Sequence, residues 1–148
     1  MYAALDIAYW FLARNRIAEI EQDAELISNM KLQKLLYYAQ GVYYAIMNKV
    51  LFSDSIFAWT HGPVVESVYH KFKQFGSNGI EVDAINLPDF PDETVRILED
   101  VYDVFGQYSA WKLREMTHAE KPWMSTAEGG VINVELIRDY FLENYIDE

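Results

Sequence analysis

The stretch Ser28-Asn29-Met30-Lys31-Leu32-Gln33-Lys34-Leu35-Leu36-Tyr37-Tyr38-Ala39-Gln40-Gly41-Val42-Tyr43-Tyr44-Ala45-Ile46-Met47 decides the fold class. Leu32, Leu35, Leu36, Ala39, Tyr43 and Ile46 recur at the spacing of one face of an α-helix. Ser28 or Asn29 can accept a hydrogen bond from the free amides of a first turn, so the helix starts there and runs to about Met47. The adjacent pairs Tyr37/Tyr38 and Tyr43/Tyr44 cannot share one narrow stripe. They read as the wide buried face of a central helix, or as rings of which one or two reach the surface. An exposed tyrosine is favourable interface material, because its rigid ring carries a polar tip and freezes few torsions.

On the N-terminal side, Leu5, Ala8, Tyr9 and Leu12 form a helical stripe over about Tyr2 to Asn15, with Ile7, Trp10 and Phe11 beside it. This segment is apolar nearly all round and therefore reads as a buried helix. The run contains Asp6 and Trp10 and has neither a basic flank nor a small-residue cleavage site, so a signal peptide is not expected. On the C-terminal side, short apolar groups around Ser53-Asp54-Ser55 allow a small β-hairpin between Lys49 and Trp59. Pro63 then suits the first turn of a third helix with Val65, Val68, Tyr69 and Phe72 inward and Gly76 as its stop. Residues 77–89 read as a loop, with Ile80 and Val82 as candidate strand residues. Pro91, Asp92 and Glu93 open a fourth helix with Val95, Leu98, Val101, Tyr102 and Phe105 on its apolar face. Ser109 caps a short fifth helix with Trp111, Leu113 and Met116 inward, and Asn133 caps a sixth carrying Leu136, Ile137, Tyr140 and Phe141. The expected fold is mainly α, a compact single-domain bundle of about six helices with a small β-hairpin.

Composition bounds what such a bundle can do. With 51% apolar and 16% aromatic residues in 148, the chain can fill one core, and no repeat or Gly/Ser-rich linker marks a boundary. The absence of cysteine excludes disulfides, cysteine zinc sites and thiolate nucleophiles, and makes the cytoplasm the natural compartment. Nothing approaches the ~20 apolar residues of a membrane span. A net charge of -11 repels phosphate backbones, so direct nucleic-acid binding is not expected. The same charge favours encounter with a basic protein, or serves solubility alone.

Residues that could carry chemistry are few. His61, His70 and His118 match no metal-ligand spacing, and His61 and His118 read as groups beside helix ends that satisfy loose backbone atoms. The acids Glu99, Asp100 and Asp103 look like a solvated helix face. No phosphate-binding glycine loop, nucleophile elbow or His-Glu-x-x-His helix occurs, so no catalytic residue, metal or cofactor is assigned. Lys31 and Lys34 are the unusual pair, because they sit in the first turns of a helix whose N-terminal end is already partly positive. They could hold a carboxylate of a partner or of the chain itself, or lay their stems over aromatic rings with solvated heads.

The run from Ile27 to Gly41, followed by Ala58-Trp59-Thr60-His61-Gly62-Pro63-Val64-Val65, then Ser109-Ala110-Trp111-Lys112-Leu113, Thr117-His118 and Pro122-Trp123, resembles the Panacea antitoxin domain. That family includes SocA-like and GepA-like phage-associated proteins. Its motif falls on Lys31, Leu32, Gln33, Lys34, Tyr37, Trp59, His61, Gly62, Pro63, Thr117, His118, Pro122 and Trp123. The resemblance implies an antitoxin that binds and neutralises a toxin encoded beside it, the toxin varying from member to member. SocA-like members instead resemble adaptors that deliver a bound toxin to the ClpXP protease, and this chain could follow either route. Many members carry an added DNA-binding segment for which these residues leave no room, so autoregulation by this chain is not expected.

Because a promiscuous binder varies its partner-reading surface, the shared residues Leu32, Gln33, Trp59, His61, Gly62, Pro63, Thr117, His118, Pro122 and Trp123 read as scaffold. The expected partner contacts are Lys31, Lys34, Tyr37, Tyr38, Tyr43 and Tyr44. Direct neutralisation, adaptor-mediated proteolysis, an orphan prophage protein and an enzyme or metal protein using His61 and His118 are the competing readings.

Overall fold

A computed structural model describes residues 1–82 and 89–146. Among them are seven α-helices and one hairpin: α1 (Ala4–Gln22), α2 (Asn29–Met47), β1 (Ile56–Trp59), β2 (Gly62–Val65), α3 (Glu66–Phe72), α4 (Asp92–Phe105), α5 (Ala110–His118), α6 (Lys121–Met124) and α7 (Val134–Asn144). A 3-10 turn, Lys73–Phe75, follows α3. The part of the expected loop at 83–88 lies outside the described residues.

Helix α2 is the axis of the fold. It packs against α1, α3, α4, α5, α7 and β2, and every residue from Leu32 to Tyr43 is buried. A helix buried on all sides must be apolar all round or have each polar side chain satisfied, and α2 takes the second course. The Ser28 hydroxyl accepts the Lys31 amide and starts the helix, and Asn48 ends it in the left-handed region at φ 56. Gly41 lets α7 approach, since a Cβ there would stand 2.6 Å from the Phe141 ring. Gly41→Ala is expected to cost about 1–3 kcal/mol through overpacking, as read by urea denaturation; an unchanged midpoint would mean that α7 yields freely.

The expected elements are present with three corrections. Helix α1 runs seven residues past Asn15, because Asn15 is buried by donating to the Glu25 carbonyl (2.9 Å) and accepting the Tyr102 hydroxyl (2.7 Å). Arg16 and Glu19 then pair along the solvent-facing continuation. The hairpin lies later than expected, with Trp59 opposite Gly62 and Thr60-His61 as its turn. Pro63 therefore sits in strand β2, not in a helix. Proline's missing amide is tolerated on an edge strand as well as in a first helical turn, and spacing alone does not separate the two. The opposite edge of β1 is covered by residues 129–132, through Ala58 and Ile132 amides that donate to the Gly130 and Ile56 carbonyls. Finally, Trp111 is 58% exposed, since α5 turns that face outward. No helix among the described residues is long and apolar enough to cross a membrane.

Candidate functional site

The polar side chains of α2 each hold a neighbouring segment. Gln33 accepts the Val65 amide (2.9 Å) and donates to Asn29, whose own amide donates to the Tyr69 carbonyl. Gln40 donates to the Phe52 carbonyl (2.7 Å) and accepts the Leu51 amide (2.8 Å). Lys31 donates to the Gly106 carbonyl at the end of α4 (2.6 Å), a place where a helix end favours a cation. Tyr37 and Tyr38 donate to the two oxygens of the buried Glu120 carboxylate at 2.9 and 3.0 Å, and the Tyr145 hydroxyl joins the second oxygen. Burial pushes the Glu120 carboxyl above the usual carboxylate range, while the three hydroxyls pull it back.

Lys34 lies under the hairpin. It is 1% exposed and donates to the Pro63 carbonyl at 3.3 Å. Burial, with Arg114 nearby, lowers its ammonium to about 7. Gly62 makes room for this side chain. It has φ +114, and a Cβ would fall 2.6 Å from the Lys34 Cε and 2.9 Å from the Thr117 hydroxyl. Arg114 extends from α5, donates to His61 Nδ1 at 3.0 Å and lies 4.6 Å over the Trp111 ring. Trp123 stacks on His118 at 4.0 Å and donates its indole N–H to the Trp59 carbonyl at 2.8 Å. Burial, then Arg114, pushes the His118 imidazolium below its ordinary range, and its Nε2 is buried without a hydrogen-bond partner among the described residues. Above Lys34 opens a groove of about 740 Å³ with Asn29, Trp59, His61, Val64 and Tyr69 in its walls.

These residues come from separated segments of the sequence, most of them inside a stretch that matches a known family. Residues 32–124 match the family described as antitoxin SocA-like, Panacea domain. The chain belongs to that family. Antitoxin SocA of Caulobacter vibrioides is 31% identical over 122 residues, which is 74% of this chain. The chain thus spans just under two-thirds, 65%, of that relative's length. No solved structure matches.

In this SocA-like domain the shared motif residues mostly bind one another. Leu32, Gln33, Gly62, Pro63, Thr117 and Pro122 are buried, and Trp59, His118 and Trp123 are partly so. His61 is exposed, in the hairpin turn and not beside a helix end. His70 faces Glu66 across solvent at 3.4 Å. No group of three His, Asp or Glu side chains among the described residues is placed to hold a metal.

Four of the six residues expected at a partner surface are internal. Lys34, Tyr37, Tyr38 and Tyr43 are at most 2% exposed, because α2 is surrounded and not laid on a surface. Lys31 and Tyr44 are half-buried, with Lys31 committed to α4 and Tyr44 beneath the Arg138 guanidinium at 5.1 Å. Among the described residues neither lysine of the pair meets a carboxylate; both go to backbone carbonyls. No spacing in the sequence marks Glu120 or Arg114 as part of this site. Glu120 lies within the shared Thr117–Trp123 segment, an acid between two motif dipeptides, and that position was the available signal.

Proposed function

We propose that this chain is an antitoxin that neutralises a protein toxin by binding it directly, without catalysis. Membership of the SocA-like antitoxin family carries the reading, because the match over residues 32–124 spans the motif from Leu32 to Trp123. The physical frame supports it. A core in which α2 holds a loop, a strand and the end of α4 through hydrogen bonds supports a preorganised surface that loses little entropy on docking. The excess of acid, -11, would speed encounter with a basic toxin.

The test is induction of the adjacent gene in a bacterial host, with and without this chain. Growth arrest that is relieved, together with a complex that co-purifies, is the expected result. Relief accompanied by a shortened toxin half-life that depends on ClpXP would replace steric neutralisation by delivery to the protease. Arrest that persists, or a toxin that never co-purifies, would sink the reading.

A further inference from the structure

The cations at the hairpin are unusual in a chain so acidic. Lys34 and Arg114 pair with no carboxylate among the described residues. An ammonium has three donors, and Lys34 has one partner among these residues, the Pro63 carbonyl. Arg114 likewise donates to His61 alone and otherwise rests on Trp111. Leaving a buried ammonium so little compensated is costly, and a fold gains nothing from it that a methionine would not supply.

The walls around this charge are aromatic and apolar. Trp59 and Tyr69 meet edge to face at 4.9 Å, and Val64 of β2 adds an apolar side chain to the lining. Trp111, more than half exposed, lies against Arg114, which in turn bonds the wall residue His61. Tryptophan and tyrosine in a concave, partly desolvated site, with an arginine bonded to its wall, are the composition that dominates binding energy at protein interfaces. The acid on the wall is Glu128, whose carboxylate already takes the Thr60 hydroxyl.

From this charge complementarity we propose that the groove above Lys34 docks a segment of the partner protein that inserts an Asp or Glu side chain toward Lys34 and Arg114 and lays a neighbouring apolar side chain on Trp59 and Tyr69. The proposal rests on the protein-binding reading above and adds where and by what chemistry the partner is held. A polyanion is disfavoured, since Glu128 and the net negative charge oppose multiply charged ligands. A single carboxylate exchanges its hydration for two cations and meets little of that repulsion. Arginine and lysine differ in role here: Arg114 is held in plane by His61 and Trp111 and can orient a carboxylate, whereas Lys34 supplies charge from below.

The experiment uses the full chain with ¹⁵N labelling and two probes, 4-phenylbutyrate and its neutral analogue 4-phenylbutyramide. The acid is expected to shift the backbone amides of Trp59, His61 and Gly129 and to bind at least fivefold more tightly than the amide. Lys34→Met and Arg114→Gln should each abolish that preference, and each should weaken binding of the adjacent-gene toxin at least tenfold. Arg114 is half-buried, so its variant keeps the test valid should Lys34→Met not fold. Equal binding of acid and amide, or binding of neither, overturns the carboxylate site. Tighter binding of inorganic phosphate than of the acid overturns it in favour of a phosphate ligand. Unchanged toxin affinity in both folded variants overturns the docking proposal and leaves the antitoxin reading intact. Failure of the unmodified chain to bind the toxin while it still prefers the acid removes the antitoxin reading and, with it, the assigned partner.

Discussion

Glu120→Ala is expected to lower folding stability by about 2–4 kcal/mol, the largest loss from any single side chain described above. The carboxylate accepts three tyrosine hydroxyls, and those of Tyr37 and Tyr38 belong to residues with no exposed surface. Removing it strands two buried donors at about 1–3 kcal/mol each, partly offset because the buried carboxylate itself is no longer desolvated. The effect should spread beyond α6. Tyr38 stacks on Phe105 at 4.0 Å and Tyr37 meets Phe141 at 5.5 Å, so the rings that link α4 and α7 to α2 lose the acceptor that fixes their hydroxyls. Glu120→Gln keeps an acceptor oxygen and should recover more than half of the loss. Urea denaturation of the three proteins decides the matter, and a loss below 1 kcal/mol for the alanine variant would show that water replaces the carboxylate.

Lys34→Met should be as stable as the unmodified chain at pH 7, or more so, and that advantage should disappear as the pH rises. In the unfolded chain the lysine holds its proton to the model-compound value of 10.5, whereas the folded chain releases it at about 7. Below pH 7 both states are protonated and the full cost of burying the charge is present. Between pH 7 and 10.5 the unfolded state binds more protons, so the stability of the unmodified chain rises, by at most about 1.4 kcal/mol per pH unit. The methionine variant lacks this slope. Comparing the two proteins between pH 7 and 9.5 cancels the other titrating groups to first order and should show a relative change of roughly 2–3 kcal/mol. A constant difference across that range would mean that Lys34 keeps its proton, and therefore that the folded chain already supplies it with a counter-charge.

Both predictions concern residues whose type is plain in the sequence and whose partners are not. Glu120 lies 83 positions from Tyr37 and Lys34 lies 29 from Pro63, so no local periodicity connects them. Lys31 and Lys34 looked misplaced because the first turn of a helix disfavours cations. That cost is local, and the contacts that offset it, the carbonyls of Gly106 and Pro63, are brought in by other elements.

What the sequence by itself determined was the set of short-range choices. The helical stripe of α2, its start at Ser28 or Asn29, the caps Ser109 and Asn133, and the mainly helical class follow from spacing and from hydrogen bonds within a few residues. The ordered motifs also carry the family resemblance, which the match over residues 32–124 bears out. What only the tertiary structure decided was which faces meet. Tyr37, Tyr38 and Tyr43 could have formed a surface; α4, α5 and α7 packing around α2 made them interior. Pro63 satisfied the rules of a helix start and an edge strand equally, and pairing of Ala58 with Pro63 chose the strand. Side-chain type fixes what a residue can bond to, but burial and distant partners arise only when the chain closes on itself, and these set the charge on Lys34 and the acceptor for its tyrosine neighbours.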